Sequence, residues 1–237
     1  MNTLLVLAGG FGSRLRSAIS DVPKPLAPVA SEPFLKHLLK NCTSQGADDI
    51  VLLLHFEANK IEIMLQGMVD DGLLEGVKLR TVIEKEPLGT GGAILNALNV
   101  LDLPNSFLVI NADTWIGSGL GLLANSKPPC LASIKIKNCD RYGSLEISND
   151  KVLSFNEKIS NKKNGWINAG MYHFHKNNFL DCQDKHFFSL EDIILPKFAL
   201  SNELNVIKLN TEFIDIGVPE DYFRFCNWME KEKKIEL

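Results

Sequence analysis

Three observations predict an α/β fold in which a largely parallel sheet, covered by helices on both faces, leads into a strand-rich second half. Apolar runs alternate with segments of helical spacing through the first half, and the texture changes after Lys127-Pro128-Pro129. A chain of 237 residues, 45% apolar and 23% charged, also has the material for a sizeable core.

Residues 3–8 are an unbroken apolar run stopped by Gly9-Gly10, as expected of a strand buried on both faces. Across 33–46, Phe34, Leu35, Leu38 and Leu39 fall at helical spacing, and Gly46 is the stop. A second buried strand is expected at 50–54, then a helix at 57–66, a strand at 77–83, a helix at 90–101 and a strand at 107–110. Past the proline break, strands are expected at 130–136, 143–147, 152–156 and 166–174. Ser189 with Glu191 and Asp192 signals a helix over 189–200, strands follow at 204–209 and 212–216, and Pro219 opens a last helix to about 233. No repeat or linker interrupts 1–237, so one domain is expected, with 1–126 as its α/β half and 127–237 as its strand-rich half.

Charge and cysteine content exclude several classes of function. The 25 Lys and Arg against 29 Asp and Glu give a net charge of −4, which offers no general attraction for nucleic acid or an anionic membrane. An anionic ligand must therefore be held by local charge. The first residues lack a basic segment and a cleavage site, so no secretory leader is expected, and no apolar run approaches the ~20 residues of a spanning helix. Cys42, Cys130, Cys139, Cys182 and Cys226 are odd in number and scattered, which points to a reducing cytoplasm rather than a disulfide framework or structural zinc.

In an open α/β sheet, ligands bind outside the carboxyl ends of the strands, so the loops beginning at Gly9, Glu84 and Asn111 are where chemistry is expected. The first reads Leu7-Ala8-Gly9-Gly10-Phe11-Gly12-Ser13-Arg14-Leu15-Arg16, followed by Pro23-Lys24-Pro25. Its glycines let backbone N–H groups approach an anion, Ser13 and Arg14 add polar and cationic contacts, and Lys24 is a point charge on a stiff arm. A dinucleotide fingerprint needs glycine at Leu15, and a Walker A loop needs Gly-Lys-Ser/Thr, so both of those readings fail. The plain alternative is a glycine-rich turn with incidental arginines.

The second loop, Glu84-Lys85-Glu86-Pro87-Leu88-Gly89-Thr90-Gly91-Gly92-Ala93, lets a base lie against backbone and places a helix N-terminus above it as a source of N–H donors; a plain capped helix start is the alternative. Asn111-Ala112-Asp113 and Phe213-Ile214-Asp215-Ile216-Gly217 each bring a carboxylate to the end of an apolar strand, where it serves either as a turn cap or as a metal ligand. His173 and His175 share a strand face but have no third ligand at a metal spacing.

Together these loops resemble the sugar-1-phosphate nucleotidyltransferases, or nucleotide-sugar pyrophosphorylases, whose pattern is G-G-x-G-[ST]-R-L followed by P-K-P. The resemblance runs from residue 4 to about 222. It implies a Rossmann-like three-layer nucleotidyltransferase fold with a central mixed, mostly parallel sheet and a strand-rich sugar-binding second half. It implies catalytic roles for Arg14, Lys24 and Asp113, and a nucleotide site of Leu7, Ala8, Gly9, Gly10, Gly12, Ser13, Glu84, Pro87, Gly89 and Thr90. Tyr142, Gly143, Glu157, Lys158, Asn168 and Gly170 match the family's sugar-phosphate segments, and Asp113 with Asp215 would hold Mg²⁺.

The implied reaction joins a nucleoside triphosphate to a sugar 1-phosphate and releases pyrophosphate. The attacking phosphate oxygen is already ionised, so catalysis rests on alignment and charge neutralisation by Arg14, Lys24, Lys158 and Mg²⁺. The segments Arg14-Leu15-Arg16-Ser17, Arg141-Tyr142-Gly143, 21–28 and 213–222 resemble the heptose 1-phosphate guanylyltransferase subgroup, which implies GTP as donor and GDP-heptose for bacterial surface polysaccharide. Nothing in the base-contacting backbone distinguishes guanine, uracil and cytosine, so uridylyl- and cytidylyltransferases stay open, as does a non-catalytic nucleotide-sugar sensor. The partners implied are the two substrates, without nucleic acid or membrane and with room for a homodimer. No hexapeptide repeat follows the last helix, so no fused acyltransferase is expected.

Overall fold

A computed structural model describes residues 2–15, 19, 22–139, 141–142, 144–156 and 163–235. The first half comprises β1 Asn2–Leu7, β2 Pro28–Val29, β3 Glu32–Pro33, α1 Phe34–Ser44, β4 Ala47–Leu54, α2 Ala58–Asp70, β5 Lys78–Ile83, α3 Gly89–Val100 and β6 Ser106–Asn111. There follow β7 Thr114–Ile116, α4 Leu120–Ala124, β8 Cys130–Asn138, β9 Ser144–Ser148, β10 Lys151–Asn156 and β11 Lys163–His175. Last come α5 Leu195–Leu200, β12 Asn205–Leu209, β13 Phe213–Asp215 and α6 Pro219–Ile235.

Among the described residues, nine strands form one sheet in the order β5-β4-β1-β6-β11-β8-β12-β10-β9. Neighbours are parallel from β5 to β6 and again at β8 and β12. By contrast, β11 runs antiparallel to β6 and β8, and β10 antiparallel to β12 and β9. The sheet is therefore mixed, and its parallel part is concentrated where strand and helix alternate along the chain.

Period-two alternation of side chains produces the three layers. Leu4 and Val6 of β1 pack on one face with Leu35 and Leu38 of α1 and Ile61 of α2. Leu5, with Val51 and Leu53 of β4, packs on the other with Ile94 and Ala97 of α3 and with Phe174. Both faces of β1 are thus buried, which is why its apolar run is continuous. Each such Leu or Phe contributes about 1.5–3 kcal/mol relative to exposure. Among the described residues no helix is long and apolar enough to cross a membrane.

The expected helix over 189–200 takes a different form. Ser189 Oγ accepts from the Asp192 N–H at 3.0 Å, but Leu190–Ile194 winds as a π turn in which the Leu195 N–H donates to the Leu190 carbonyl, and only α5 is α-helical. Pro196 has no N–H to give an α-helical bond back to residue 192, so the wider turn costs little there. The β2–β3 pair, β7 and α4 are too short for hydrophobic periodicity to register.

His173 and His175 have separate roles. His173 is 7% exposed, with Nε2 against Ser106 Oγ and Nδ1 3.3 Å from Ser126 Oγ, whereas His175 Nδ1 accepts from the Asn177 N–H at 3.1 Å. Burial holds the His173 pKa below its ordinary 6.5, and the charge of His175 adds to the effect. The unfolded chain therefore takes up this proton more readily than the fold does. The contribution to stability is fully present above pH 6.5 and declines as pH falls through the lowered folded value. His173→Gln, whose amide can still meet both serines, is expected to flatten the decrease in urea midpoint between about pH 7 and about pH 5. Equal slopes for wild type and variant would contradict this.

Candidate active site

The carboxyl ends of β1, β4, β5 and β6 lie side by side, and backbone pairing continues just past them. Ala8 N donates to Leu53 O at 2.9 Å, Glu84 N to Leu54 O at 2.8 Å and Ala112 N to Leu7 O at 3.1 Å, so each loop departs from a fixed point. Asp215 arrives by another route. β13 pairs antiparallel with β7 with Asp215 opposite Thr114, and Ile216 N donates to Asp113 O at 2.9 Å. This small ladder brings two carboxylates distant in sequence into one site.

Lys24 lies between them. Its Nζ is 2.5 Å from Asp113 Oδ2 and 3.7 Å from Asp215 Oδ1, and its side chain is only 9% exposed. Pro23 and Pro25 flank it in a single 3₁₀ turn, Lys24–Leu26. Gly12 faces it at φ +60°, where an added Cβ would stand 2.7 Å from Lys24 Cβ. The glycine loop and the lysine arm thus pack too closely for any side chain at that position. Burial, and then the charge of Asp113, raise the Asp215 pKa, while Lys24 draws it down. A cavity of about 240 Å³ sits over Lys24, Asp113 and Gly12, lined also by Leu7, Ala8, Gly10, Ser13, the exposed Arg14 and Gly217, two residues past Asp215.

A second cavity of about 420 Å³ shares Leu7, Gly10 and Asp113 with the first, so the two form one trough. Its walls include Gly9, Phe11, Pro87, Leu88, Gly89, Thr90, Asn111 and Phe187. Glu84 lies in this wall at 7% exposure, with Oε2 accepting from the Leu88 N–H at 3.0 Å. Burial raises its pKa, against the Leu88 hydrogen bond and the charge of His55. Asn111 Oδ1 is buried without a hydrogen-bond partner among the described residues.

One expectation is corrected at this point. Two of the N-terminal donors of α3 are already taken, because Gly91 N and Gly92 N donate to Phe188 O at 3.0 and 3.2 Å, while Gly89 and Thr90 line the trough. The Thr90 hydroxyl is engaged too, accepting from Leu190 N at 2.8 Å and donating to Glu191 at 2.9 Å. The chain around 186–191 folds over the helix start, and Gly89, at φ +73°, makes room for Phe188 O, which would be 2.5 Å from an added Cβ. Capping by a segment so far along the chain leaves no local sequence signal.

Gly143, Glu157 and Lys158 lie outside the described residues. Tyr142 is packed edge-on against Phe213 with ring centroids 5.8 Å apart, and burial pushes its hydroxyl up to about 12. Arg141 covers the Tyr142 ring, pairs with Asp221 of α6 and reaches to 3.7 Å from Asp215 Oδ2. Asn168 and Gly170 line neither cavity of the trough. Asn168 instead accepts from Gly170 N at 3.0 Å and donates to Tyr172 Oη at 2.8 Å, across an irregularity in β11. Sequence reasoning did not assign Phe11, Phe187, Arg141 or Asp221 to the site. Phe11 occupies the variable position of the glycine loop, Phe187 reaches the larger cavity only through tertiary packing, and Arg141 and Asp221 lie beside Tyr142 and Asp215 rather than in the trough.

Residues 3–232 match the nucleotidyl transferase family. The chain belongs to that family. This nucleotidyl transferase is 38% identical over 223 residues to the D-glycero-alpha-D-manno-heptose 1-phosphate guanylyltransferase of Campylobacter jejuni, covering 93% of the chain and 97% of that relative. It is 33% identical to the enzyme of the same name from Aneurinibacillus thermoaerophilus, covering 92% of the chain and 94% of the relative. Its fold superimposes with a TM-score of 0.82 on the crystal structure of HddC from Yersinia pseudotuberculosis complexed with GMP-PN, at 34% identity, covering 97% of this nucleotidyl transferase and 100% of HddC. The family resemblance carried by the glycine loop and Pro23-Lys24-Pro25 is therefore the family found.

Proposed function

We propose that this nucleotidyl transferase moves the guanylyl group of GTP onto D-glycero-α-D-manno-heptose 1-phosphate in the cytoplasm, giving GDP-heptose and pyrophosphate. The observation that carries the choice of base is Glu84, a buried carboxylate in the wall of the larger cavity whose Oε2 accepts from Leu88 N and whose Oε1 has no hydrogen-bond partner among the described residues. An ionised carboxylate only accepts hydrogen bonds, and guanine alone among the four bases presents two adjacent donors, N1–H and the 2-amino group, on one edge. The names of the similar guanylyltransferases support the same base and suggest the heptose.

The sugar phosphate oxygen attacks the α-phosphorus, a new P–O bond forms, and the bond to the β-phosphate breaks with its electrons leaving on pyrophosphate. No proton has to be removed from the attacking oxygen. What the chain supplies is placement and charge: Arg14 at the rim meets the departing phosphates, and Lys24 neutralises the centre of the trough. Arg141 and Tyr142 border the side of Asp215 where the sugar phosphate would enter. The two carboxylates of Asp113 and Asp215, held on either side of Lys24, are a hard oxygen donor pair that fits Mg²⁺. When bound, the metal would neutralise charge on the phosphate oxygens.

The proposal is tested by pyrophosphate release from GTP with the heptose 1-phosphate, mannose 1-phosphate and glucose 1-phosphate as acceptors. The highest kcat/KM is expected with the heptose. A higher value with mannose or glucose would replace the acceptor, and absence of release with every acceptor would favour the sensor.

A further inference from the structure

The larger cavity carries two exposed aromatic rings to which nothing above gives work. Phe11 is 49% exposed and Phe187 67% exposed, and both line the cavity that contains Glu84. Two large rings exposed together at one pocket mouth offer a flat ligand apolar area to cover.

Their placement is built rather than incidental. Phe187 lies between a residue in contact with the Glu84 loop and one whose backbone is tied to it. His186 Nε2 lies 2.7 Å from Glu86 Oε1, and Phe188 N donates to Leu88 O at 3.0 Å while Phe188 O receives Gly91 and Gly92. The backbone at 187 is thus fixed over the loop that supplies Glu84 and Pro87. Phe11 is supported from behind by His55 and Phe56, with ring centroids 5.6 and 5.4 Å away, and His55 Nδ1 is 3.1 Å from the Glu84 carbonyl oxygen. Both rings are therefore tied to the same loop as the carboxylate.

We propose that Phe11 and Phe187 are the stacking surfaces for the nucleobase, supplying affinity for any base, while Glu84 supplies the choice among bases. This rests on the reading of the cavity as the nucleotide site, and it makes a prediction that the guanine reading does not. Stacking uses the π-face that every base has, so losing a ring should weaken all four triphosphates alike and leave their ranking unchanged.

The test measures Phe187→Ala, Phe187→Tyr and Phe11→Leu against wild type with all four triphosphates, whose ranking should not change, and then in detail with the one that wild type uses best, with pyrophosphate inhibition as a baseless control. Phe187→Ala is expected to raise the nucleotide KM on the order of tenfold, with kcat within about twofold and the sugar 1-phosphate KM unchanged. Phe187→Tyr should restore the nucleotide KM, Phe11→Leu should raise it by a smaller factor, and the inhibition constant of pyrophosphate should stay constant throughout. Calorimetric titration of the same nucleotide without sugar should show the same loss in binding. The proposal is overturned if both Phe187→Ala and Phe11→Leu leave nucleotide KM and binding at the wild-type value. It is overturned equally if pyrophosphate binding weakens in parallel, because the loop would then be acting as a whole. Wild-type preference for a base other than guanine would sink the guanine reading and leave this comparison intact.

Discussion

Lys24→Ala is expected to lower kcat about 10²–10³-fold, the usual cost of removing one well-placed electrostatic contact from a reacting centre. On the proposed reaction the lysine has two tasks. It supplies positive charge where two polyanions must meet, and it separates Asp113 from Asp215, which lie 2.5 and 3.7 Å from its Nζ. Without it the carboxylates face one another with no cation between them, and Asp215, already raised by burial and by Asp113, is expected to hold its proton to still higher pH. The variant should therefore show a larger defect at acid than at neutral pH, because a protonated carboxyl is a poor metal ligand. Rapid-quench measurement of the first turnover separates this loss from slow product release. A Lys24→Ala enzyme with kcat within threefold of wild type would remove Lys24 from the reacting centre.

Glu84→Gln should change which nucleotide is used. The glutamine carbonyl can keep the Leu88 N–H, but its amide then points donors at the donor edge of guanine. Leaving buried donors unmatched is expected to reduce kcat/KM for GTP by about 10²–10³-fold while UTP, which offers a carbonyl and an N–H to an amide, loses little or gains. A pH signature accompanies it. Burial raises the Glu84 pKa, so in wild type the KM for GTP should climb as pH falls toward that value, and the variant should lack this limb. Steady-state kinetics with the four triphosphates from about pH 5 to about pH 8 measure both effects. Unchanged GTP preference in Glu84→Gln would place base selection elsewhere.

The parts of this site that were legible in the sequence are those fixed by local chemistry. The apolar run 3–8 with its glycine stop, the Pro23-Lys24-Pro25 arm and the two strand-end aspartates all lie where their patterns place them, and the structure brings Asp113, Lys24 and Asp215 together. The parts that were not legible depend on contacts between remote segments. The donors of α3 look available in sequence, yet Phe188 O takes Gly91 and Gly92 from almost a hundred residues away. Asn168 reads as a sugar contact, and that its amide also joins Gly170 to Tyr172 where β11 changes register could not be read from the sequence. The three-residue strands β7 and β13 carry no usable periodicity, although their pairing is what delivers Asp215 to Asp113. Glu84 was visible as a loop residue, but its burial in the cavity wall, on which the proposed choice of base rests, was not.

The most direct test of the central claim is kcat/KM for GTP, ATP, CTP and UTP with the wild-type chain, Mg²⁺ and the heptose 1-phosphate, read as pyrophosphate release. A buried acceptor-only carboxylate facing the base is expected to favour GTP over each of the other three by about 10² or more. Comparable values for GTP and UTP, or a preference for CTP or ATP, would contradict guanine selection by Glu84.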